Sequence, residues 1–529
     1  MIDVVATGPS NGEGMDEPGN SAVESSASVP RGEVGVVIDH KRWPKIRDEV
    51  VNCTRKHSCY TTNDTYVPTR LLDISDYGNN NIIKLVSPTT NHKPETKKYV
   101  TLSYCWGESN NFVLTQSTLA DRQNGFSPSD LPRTLRDAVQ VTHELGVDYL
   151  WIDALCIIQG SAEDWAQESS QMESVYRNAY LTIVAANAAD CADGFLQLSK
   201  QVQEHPKRRE QAPNYTHRGE IVPFQDEPLN RRAWALQEWQ LSPRRLVFSS
   251  YKMDFICPLL DRDKVRIFNA RFRPLLDEEG ATIKDWTVIL TTYTSRSLTK
   301  PSDKLPALAG MAARFRSITG GKYGRYLAGL WEEDLLKQLL WRQDDPARYY
   351  PPTSRGKSEQ WRAPSWSWAC VDGHVDFQLA GKATKVDLAT VVNVDVTLAS
   401  QQNPFGELLD GQITIRGPRR VVRDRIDFRF KRDAGIAGFV PIQRRGTEIG
   451  WIHFDSDDSR EFCLVSKAMM QFLGVGTVDD VATIGLVLRA TETVAGSEPK
   501  LQRVGLFYMY DKNEFQWKDK ANVGEYTIF

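Results

Sequence analysis

The chain has 529 residues, of which 41% are hydrophobic and 10% aromatic, a composition typical of folded globular proteins. Its 65 Lys and Arg residues nearly balance 68 Asp and Glu residues, so a formal charge of −3 gives no basic footprint for nucleic-acid binding. No apolar run reaches the length of a transmembrane helix, and the N-terminus lacks the basic and apolar regions of a signal peptide. We therefore expect a cytoplasmic protein without a membrane span.

Eight cysteines are spread along the chain in mostly apolar contexts, which favours buried thiols over a disulfide framework. The run Cys53, His57 and Cys59 is the one cluster spaced like a set of metal ligands. A structural zinc site needs four ligands and this run offers three, so we predict a helix end here and no bound metal.

Composition and apolar patterning divide the chain into five segments. Residues 1–35 are acidic and rich in Gly and Ser, which predicts a disordered tail, and residues 36–98 predict an extension with hairpins or edge strands. An α/β pattern occupies residues 99–250. A mainly helical connecting region over 251–360 precedes short β runs at 361–529, which predict a mostly antiparallel C-terminal domain.

Strands and helices alternate within the α/β segment. The runs 99–105, 147–158 and 181–187 predict buried strands, whereas the apolar spacing of 129–146 and 163–180 predicts helices. Strand–helix–strand connections bring parallel strands together. The predicted fold class is therefore α/β, with a mostly parallel sheet flanked by helices.

Two further helices are predicted after this alternation. One begins at an Asn230 cap, ends near Pro243 and leads into a strand. In the connecting region, the apolar spacing of residues 327–341 predicts an amphipathic helix.

Polar residues interrupt the apolar pattern where the first predicted strand of the α/β segment ends. Ser103 and Tyr104 stand in this strand, and Trp106 follows them. Ligands bind beyond the carboxyl ends of the strands in open parallel sheets, so these three are candidate substrate-binding residues. The alternative is that Trp106 caps the core.

Asp153 is a charged residue inside the apolar run 147–158. A buried carboxylate needs a partner such as an arginine or backbone N–H groups, and the same logic makes Asp153 a candidate catalytic residue. A structural ion pair is the alternative. Cys156 has no nearby histidine and is expected to be a buried, inert thiol.

The helix around residues 230–240 brings several polar and aromatic residues together. An arginine at position 231 or 232 would pair with Asp153 and leave Glu238, the second candidate catalytic residue, to face a pocket. The candidate substrate-binding residues on this helix are Arg232, Trp234 and Gln237. The alternative is an ordinary amphipathic helix with solvated charges.

The ordered set of these motifs resembles the fungal heterokaryon incompatibility (HET) domain family. The resemblance is carried by residues 99–107, 131–159, 164–188, 193–196 and 231–248, with companion motifs at 293–312, 326–331 and 363–373. It implies a fungal, intracellular protein with an α/β domain remotely similar to TIR domains.

The resemblance implies a role in allorecognition, in which HET domains trigger programmed cell death through self-association or contact with a partner incompatibility protein. Two enzyme alternatives stand beside it. One is NAD hydrolysis, as in some TIR domains, with NAD as a substrate rather than a bound cofactor. Glu238 or Asp153 would then stabilise the oxocarbenium-like state, and Trp106 or Trp234 would stack on the leaving base. The other is an accessory reaction in fungal natural-product biosynthesis.

Overall fold

A computed structural model gives the fold of most of the chain. It describes residues 35–37, 42–56, 66–88, 98–108, 112–199, 227–250, 253–257, 280–343, 360–421, 427–428, 439–444, 446–456, 470–479, 481–491, 500–510, 517 and 523–529. The predicted tail up to residue 34, together with His57 and Cys59, lies outside the described residues. None of the described helices combines the length and the apolar character of a membrane span.

Nine strands and seven helices make up the described part of residues 35–257. The strands are β1 (Gly35–Val37), β2 (Leu71–Asp73), β3 (Lys84–Val86), β4 (Tyr99–Ser103), β5 (Tyr149–Trp151), β6 (Leu181–Ala185), β7 (Gln197–Ser199), β8 (Arg245–Phe248) and β9 (Met253–Ile256). The helices are α1 (Arg42–Lys56), α2 (Tyr77–Asn80), α3 (Leu119–Asn124), α4 (Arg133–Glu144), α5 (Asp153–Cys156), α6 (Ala162–Arg177) and α7 (Ala233–Leu241). Short 3-10 helices occupy Pro128–Asp130 and Pro228–Arg231.

Seven of these strands form one sheet in the order β3-β2-β5-β4-β6-β8-β9. The four central strands, β5, β4, β6 and β8, are parallel. The outer pairings of β3, β2 and β9 are antiparallel, so the sheet is mixed and the prediction of a mostly parallel sheet is wrong in that respect. Residues 36–98 supply β2 and β3, which pair with each other, and β3 is an edge strand of the sheet.

Sequence patterning locates most elements of the sheet and its helices. Strands β4 and β6 and helices α4 and α6 occupy the predicted runs. Gly146 follows α4 with a φ of +70°, the left-handed conformation expected of a glycine just past a helix end.

The prediction of a single strand over residues 147–158 is wrong for the second half of that run. Strand β5 covers only Tyr149–Trp151, and helix α5 begins at Asp153. The Asp153 carboxylate accepts a hydrogen bond from the backbone N–H of Ala154 at 2.7 Å, and an acidic residue is favourable in the first turn of a helix.

The predicted Asn230 cap is also wrong. The chain forms a 3-10 helix over Pro228–Arg231, so Arg232 becomes the N-cap residue of α7. The helix ends at Leu241, two residues before Pro243, as the proline predicts.

Residues 280–343, the described part of the connecting region beyond β9, contain three helices and three short strands. They are α8 (Ile283–Thr294), α9 (Ala309–Ile318), α10 (Leu335–Gln338), β10 (Tyr326–Leu327), β11 (Leu330–Trp331) and β12 (Arg342–Gln343), with 3-10 helices at Pro301–Lys304 and Pro306–Leu308.

The predicted amphipathic helix over 327–341 is wrong in its first half, where β10 and β11 form a hairpin. Ala328 and Gly329 turn the chain with φ values of +50° and +94°. The Gly329 carbonyl accepts hydrogen bonds from the indoles of Trp286 and Trp368 at 3.1 and 3.2 Å. A Cβ at Gly329 would lie 2.5 Å from the Trp368 Nε1, so this contact requires glycine.

The C-terminal part is rich in β structure. Its elements are β13 (Val375–Asp376), α11 (Gln378–Lys382), β14 (Thr390–Leu398), β15 (Leu408–Val421), β16 (Asp427–Phe428), β17 (Phe439–Arg444), β18 (Thr447–Phe454), β19 (Met470–Val478), β20 (Ala482–Ala490), β21 (Leu501–Met509) and β22 (Val523–Ile528). Nine of these strands form one sheet, in the order β14-β15-β19-β20-β21-β18-β17-β16, with β22 against β15 and β21. The contact of β21 with β22 is parallel and the other pairings are antiparallel, close to the prediction.

The C-terminal sheet packs on the connecting region through one continuous hydrophobic core. A buried arginine adds a polar link, because Arg503 forms an ion pair with Asp455 at 2.9 Å. The same guanidinium donates to the carbonyls of Leu339 and Trp341, both at 2.6 Å. It also lies 3.4 Å from the ring centroid of Trp341. The two parts are therefore joined by a satisfied buried charge as well as by apolar packing.

Candidate functional site

The carboxyl ends of the parallel strands gather polar residues from distant parts of the chain. Strand β4 is followed in the chain by its neighbour on one side, β5, and later by its neighbour on the other, β6. Connections that leave a central strand in opposite directions create the crevice where ligands bind in open α/β sheets. Ser103 ends β4 at this edge, and Asp153 begins α5 just after β5.

A buried hydrogen bond joins the end of β4 to helix α7. The Ser103 hydroxyl donates to the Glu238 carboxylate, and the two residues are only 2% and 3% exposed. Glu238 therefore faces Ser103 in the interior of the domain.

A chain of buried hydroxyls holds this part of α7 against the sheet. Thr101 on β4 lies 2.7 Å from Thr182 on β6, measured between the hydroxyl oxygens, and Thr182 lies 2.7 Å from Ser242. Ser242 in turn donates to the backbone carbonyl of Glu238 at 2.6 Å. The polar residues inside β4 and β6 thus fix the position of Glu238 relative to Ser103.

The Asp153 carboxylate accepts hydrogen bonds from an indole and from a backbone N–H. The Trp106 indole donates to its Oδ2 at 2.8 Å, and the Ala154 backbone N–H donates to its Oδ1. Trp106 and Asp153 are both half-buried. Asp153 thus has backbone N–H and indole partners, and the direct pairing with Arg231 or Arg232 does not occur among the described ion pairs.

Arg232 interacts electrostatically with both carboxyl groups. Its guanidinium donates to the carbonyl of Tyr104, and its own carbonyl accepts from Arg296 at 3.3 Å. Burial works against the Arg232 charge, but Glu238 and Asp153 outweigh it and raise the pKa of the guanidinium.

The electrostatic balance makes Glu238 protonatable near neutrality. Burial raises the pKa of Glu238 from 4.5 to about 7; Asp153 adds to this shift, whereas Arg232 and the Ser103 hydrogen bond oppose it. Burial also raises the pKa of Asp153, and Arg232 again opposes the shift. Two carboxyl groups with raised pKa values sharing one arginine at a sheet edge form an arrangement typical of functional sites.

Two predicted binding residues on α7 make their polar contacts with the connecting region. The Trp234 indole donates to Asp303 at 3.1 Å, and its ring meets Trp165 edge-on at 5.6 Å between centroids. The Gln237 side-chain oxygen accepts from the Gly310 backbone N–H at 2.9 Å. In the described part of the chain, neither residue shares a hydrogen bond with Ser103, Asp153 or Glu238.

Asp190 is not among the predicted site residues, yet it shapes the loop after β4. Gly107 has a φ of +66°, and a Cβ there would lie 1.9 Å from the Asp190 Oδ2. The same oxygen accepts from the Glu108 backbone N–H at 2.9 Å, and the Cys191 N–H donates to the Trp106 carbonyl at 3.3 Å. Asp190 lies just before the 193–196 motif, which was the available signal.

The six described cysteines are all buried. Burial raises the pKa of Cys156 to about 12 and that of Cys105 to about 11. No disulfide joins any two of the six described cysteines, and no group of three metal-ligating side chains occurs among the described residues.

The comparison with protein families gives one match. Residues 99–238 match the family model described as heterokaryon incompatibility protein (HET). The matched segment begins at β4 and ends at Glu238, so it contains both partners of the Ser103–Glu238 hydrogen bond. No curated protein and no solved structure matches the chain.

Proposed function

Because the chain carries a heterokaryon incompatibility (HET) domain over residues 99–238, we propose that it acts in fungal non-self recognition and triggers programmed cell death. The family match supports this assignment, since the described cluster is built from matched residues. The signal would reach the HET domain through self-association or a partner incompatibility protein.

The arrangement around Glu238 supports a specific output site for this function. Glu238 and Ser103 form its buried part, whereas Trp106, Asp153 and Arg232 are half-buried and reach the surface above them. Burying charged groups costs free energy that an apolar core would not require. A cluster of this kind at the carboxyl edge of a parallel sheet is therefore better explained by activity than by stability.

Hydrolysis of the nicotinamide–ribose bond of NAD is the enzymatic form of this output that the site favours. The observation that favours it is the pair formed by Asp153 and the half-buried Trp106 indole. The indole face would take the flat leaving base, and Asp153 would stabilise the positive charge that develops on the ribose. Water adds to the ribose carbon as the carbon–nitrogen bond breaks, nicotinamide leaves, and the Asp153 carboxylate accepts the proton that the water releases.

Regulated expression of the full chain in a fungal host tests the proposed function. Induction should stop growth and admit a viability dye into hyphae, whereas uninduced hyphae of the same strain should grow normally. Unaffected viability at a protein level verified by immunoblot would reject the role in cell death.

The enzymatic form has a separate test. Purified protein incubated with NAD should release nicotinamide, detected by chromatography, and Asp153→Asn should reduce the rate. Cell death without nicotinamide release would reject NAD hydrolysis and leave the signalling role standing.

A further inference from the structure

Two buried cationic side chains, Lys304 and Arg362, interact electrostatically away from the Ser103–Glu238 cluster. Lys304 ends the 3-10 helix Pro301–Lys304, and Arg362 precedes the motif at 363–373. The two residues are only 6% and 8% exposed. The proposed function uses neither of them.

Arg362 has one donor group left over. Its Nε donates to the Ala369 carbonyl at 2.5 Å, and its Nη2 forms an ion pair with Asp372 at 2.6 Å. Its Nη1 is buried and has no hydrogen-bond partner among the residues that the structure describes. A buried donor without an acceptor costs free energy, so this nitrogen has an unmet need for an acceptor.

The positive charge of Lys304 has fewer compensating contacts than that of Arg362. Within the described part of the chain, its ammonium makes no ion pair and no hydrogen bond, and it lies over the ring of Trp368, 5.9 Å from Nζ to the centroid. Burial lowers the pKa of Lys304 to about 8, and the nearby Arg362 charge lowers it further against the opposing effect of Asp372. At neutral pH the side chain is still mostly charged.

The local charges do not balance. Lys304 and Arg362 bring two positive charges, and Asp372, whose side chain is 41% exposed, is the acidic partner of the Arg362 guanidinium. An anion that bridged the two cations would supply the missing acceptor and the missing charge together.

We propose that Lys304 and Arg362 form a binding site for a small oxyanion, specifically a phosphate group. A phosphate group accepts hydrogen bonds from a guanidinium N–H and from an ammonium at once, and Arg362 and Lys304 supply these two donors. Asp303, adjacent to Lys304, accepts the indole N–H of Trp234 on α7. Lys304 is therefore adjacent in sequence to a residue that contacts α7, the helix that carries Glu238.

The test measures phosphate binding to the purified full chain by calorimetric titration and by thermal unfolding at constant ionic strength. One arm uses inorganic phosphate and the other uses ribose 5-phosphate, which separates free phosphate from a phosphate ester. Lys304→Met should weaken binding at least about tenfold, the loss expected for one charge-assisted hydrogen bond. The control Lys322→Met removes an exposed lysine, also beside an aromatic ring, and should bind as the parent does.

A second measurement separates lost binding from lost folding. Without phosphate, Lys304→Met should unfold at the parent temperature or above it, because it removes an uncompensated buried charge. Lys304→Gln provides the same test if the methionine variant does not fold. The proposal is overturned if the parent binds neither probe, or if both Lys304→Met and Lys304→Gln bind phosphate as tightly as the parent.

Discussion

The Ser103 hydroxyl at the end of β4 donates a hydrogen bond to the Glu238 carboxylate on α7, across 135 residues of chain. This contact joins the first strand of the matched domain to its last residue. It places the Glu238 carboxyl group, whose pKa burial raises to about 7, against a buried hydroxyl, with Arg232 and Asp153 beside it.

The titration of Glu238 predicts a pH dependence of stability. Its pKa rises from 4.5 in the unfolded chain to about 7 in the folded one, so the folded state binds more protons between these values. Stability from this group is fully present below 4.5 and is lost as the pH rises towards 7, by up to about 1.4 kcal/mol per pH unit. In Glu238→Gln, the temperature of unfolding should fall less steeply than in the parent over this pH range.

The control for this titration is Glu163→Gln, which changes an exposed residue of the same domain. It should keep the pH dependence of the parent. An equal fall in all three proteins between these pH values would mean that Glu238 does not titrate there.

Gly107 should tolerate no side chain. Gly107→Ala would place a methyl group 1.9 Å from the Asp190 Oδ2 and 2.8 Å from its Cα, so the loop that carries Trp106 must move. We expect a destabilisation of about 2 kcal/mol or more, measured by urea unfolding. The control is Gly146→Ala, which has a similar φ of +70° and no atom within 4 Å of the new methyl group. It should cost only about 1 kcal/mol, and equal costs would contradict the close contact.

The buried ion pair between Asp455 and Arg503 should be essential for the union of the C-terminal sheet and the connecting region. Asp455→Asn leaves a fully buried arginine without its counter-charge, which costs about 3–5 kcal/mol. The exposed pair of Arg416 and Glu525 is the matched comparison, and Glu525→Gln should cost less than about 1 kcal/mol. Similar unfolding midpoints for the two variants would contradict this difference.

The sequence predicts the parallel centre of the sheet well because its strands are continuous apolar runs separated by helical spacing. It fails at 147–158 because a short apolar run does not distinguish a buried strand from a buried helix. It fails again at 327–341, where Ala328 and Gly329 turn the chain at positive φ and two indoles bind the Gly329 carbonyl. That turn depends on Trp368, which is distant in sequence.

The sequence singles out some residues of the candidate site and does not show how they pair. Ser103, Asp153 and Glu238 stand out because each places a polar group in an apolar context. Which donor each carboxylate receives depends on tertiary packing, and so does the part played by Asp190 and Arg296. Whether these residues act in catalysis stays a prediction.

The most direct test of the proposed role of the cluster compares three proteins at equal abundance in an inducible fungal host. We predict that the parent and Glu163→Gln reduce colony-forming units equally, and that Glu238→Gln leaves them at the uninduced level. Killing by Glu238→Gln at the parent level would contradict the claim that the Ser103–Glu238 site carries the output.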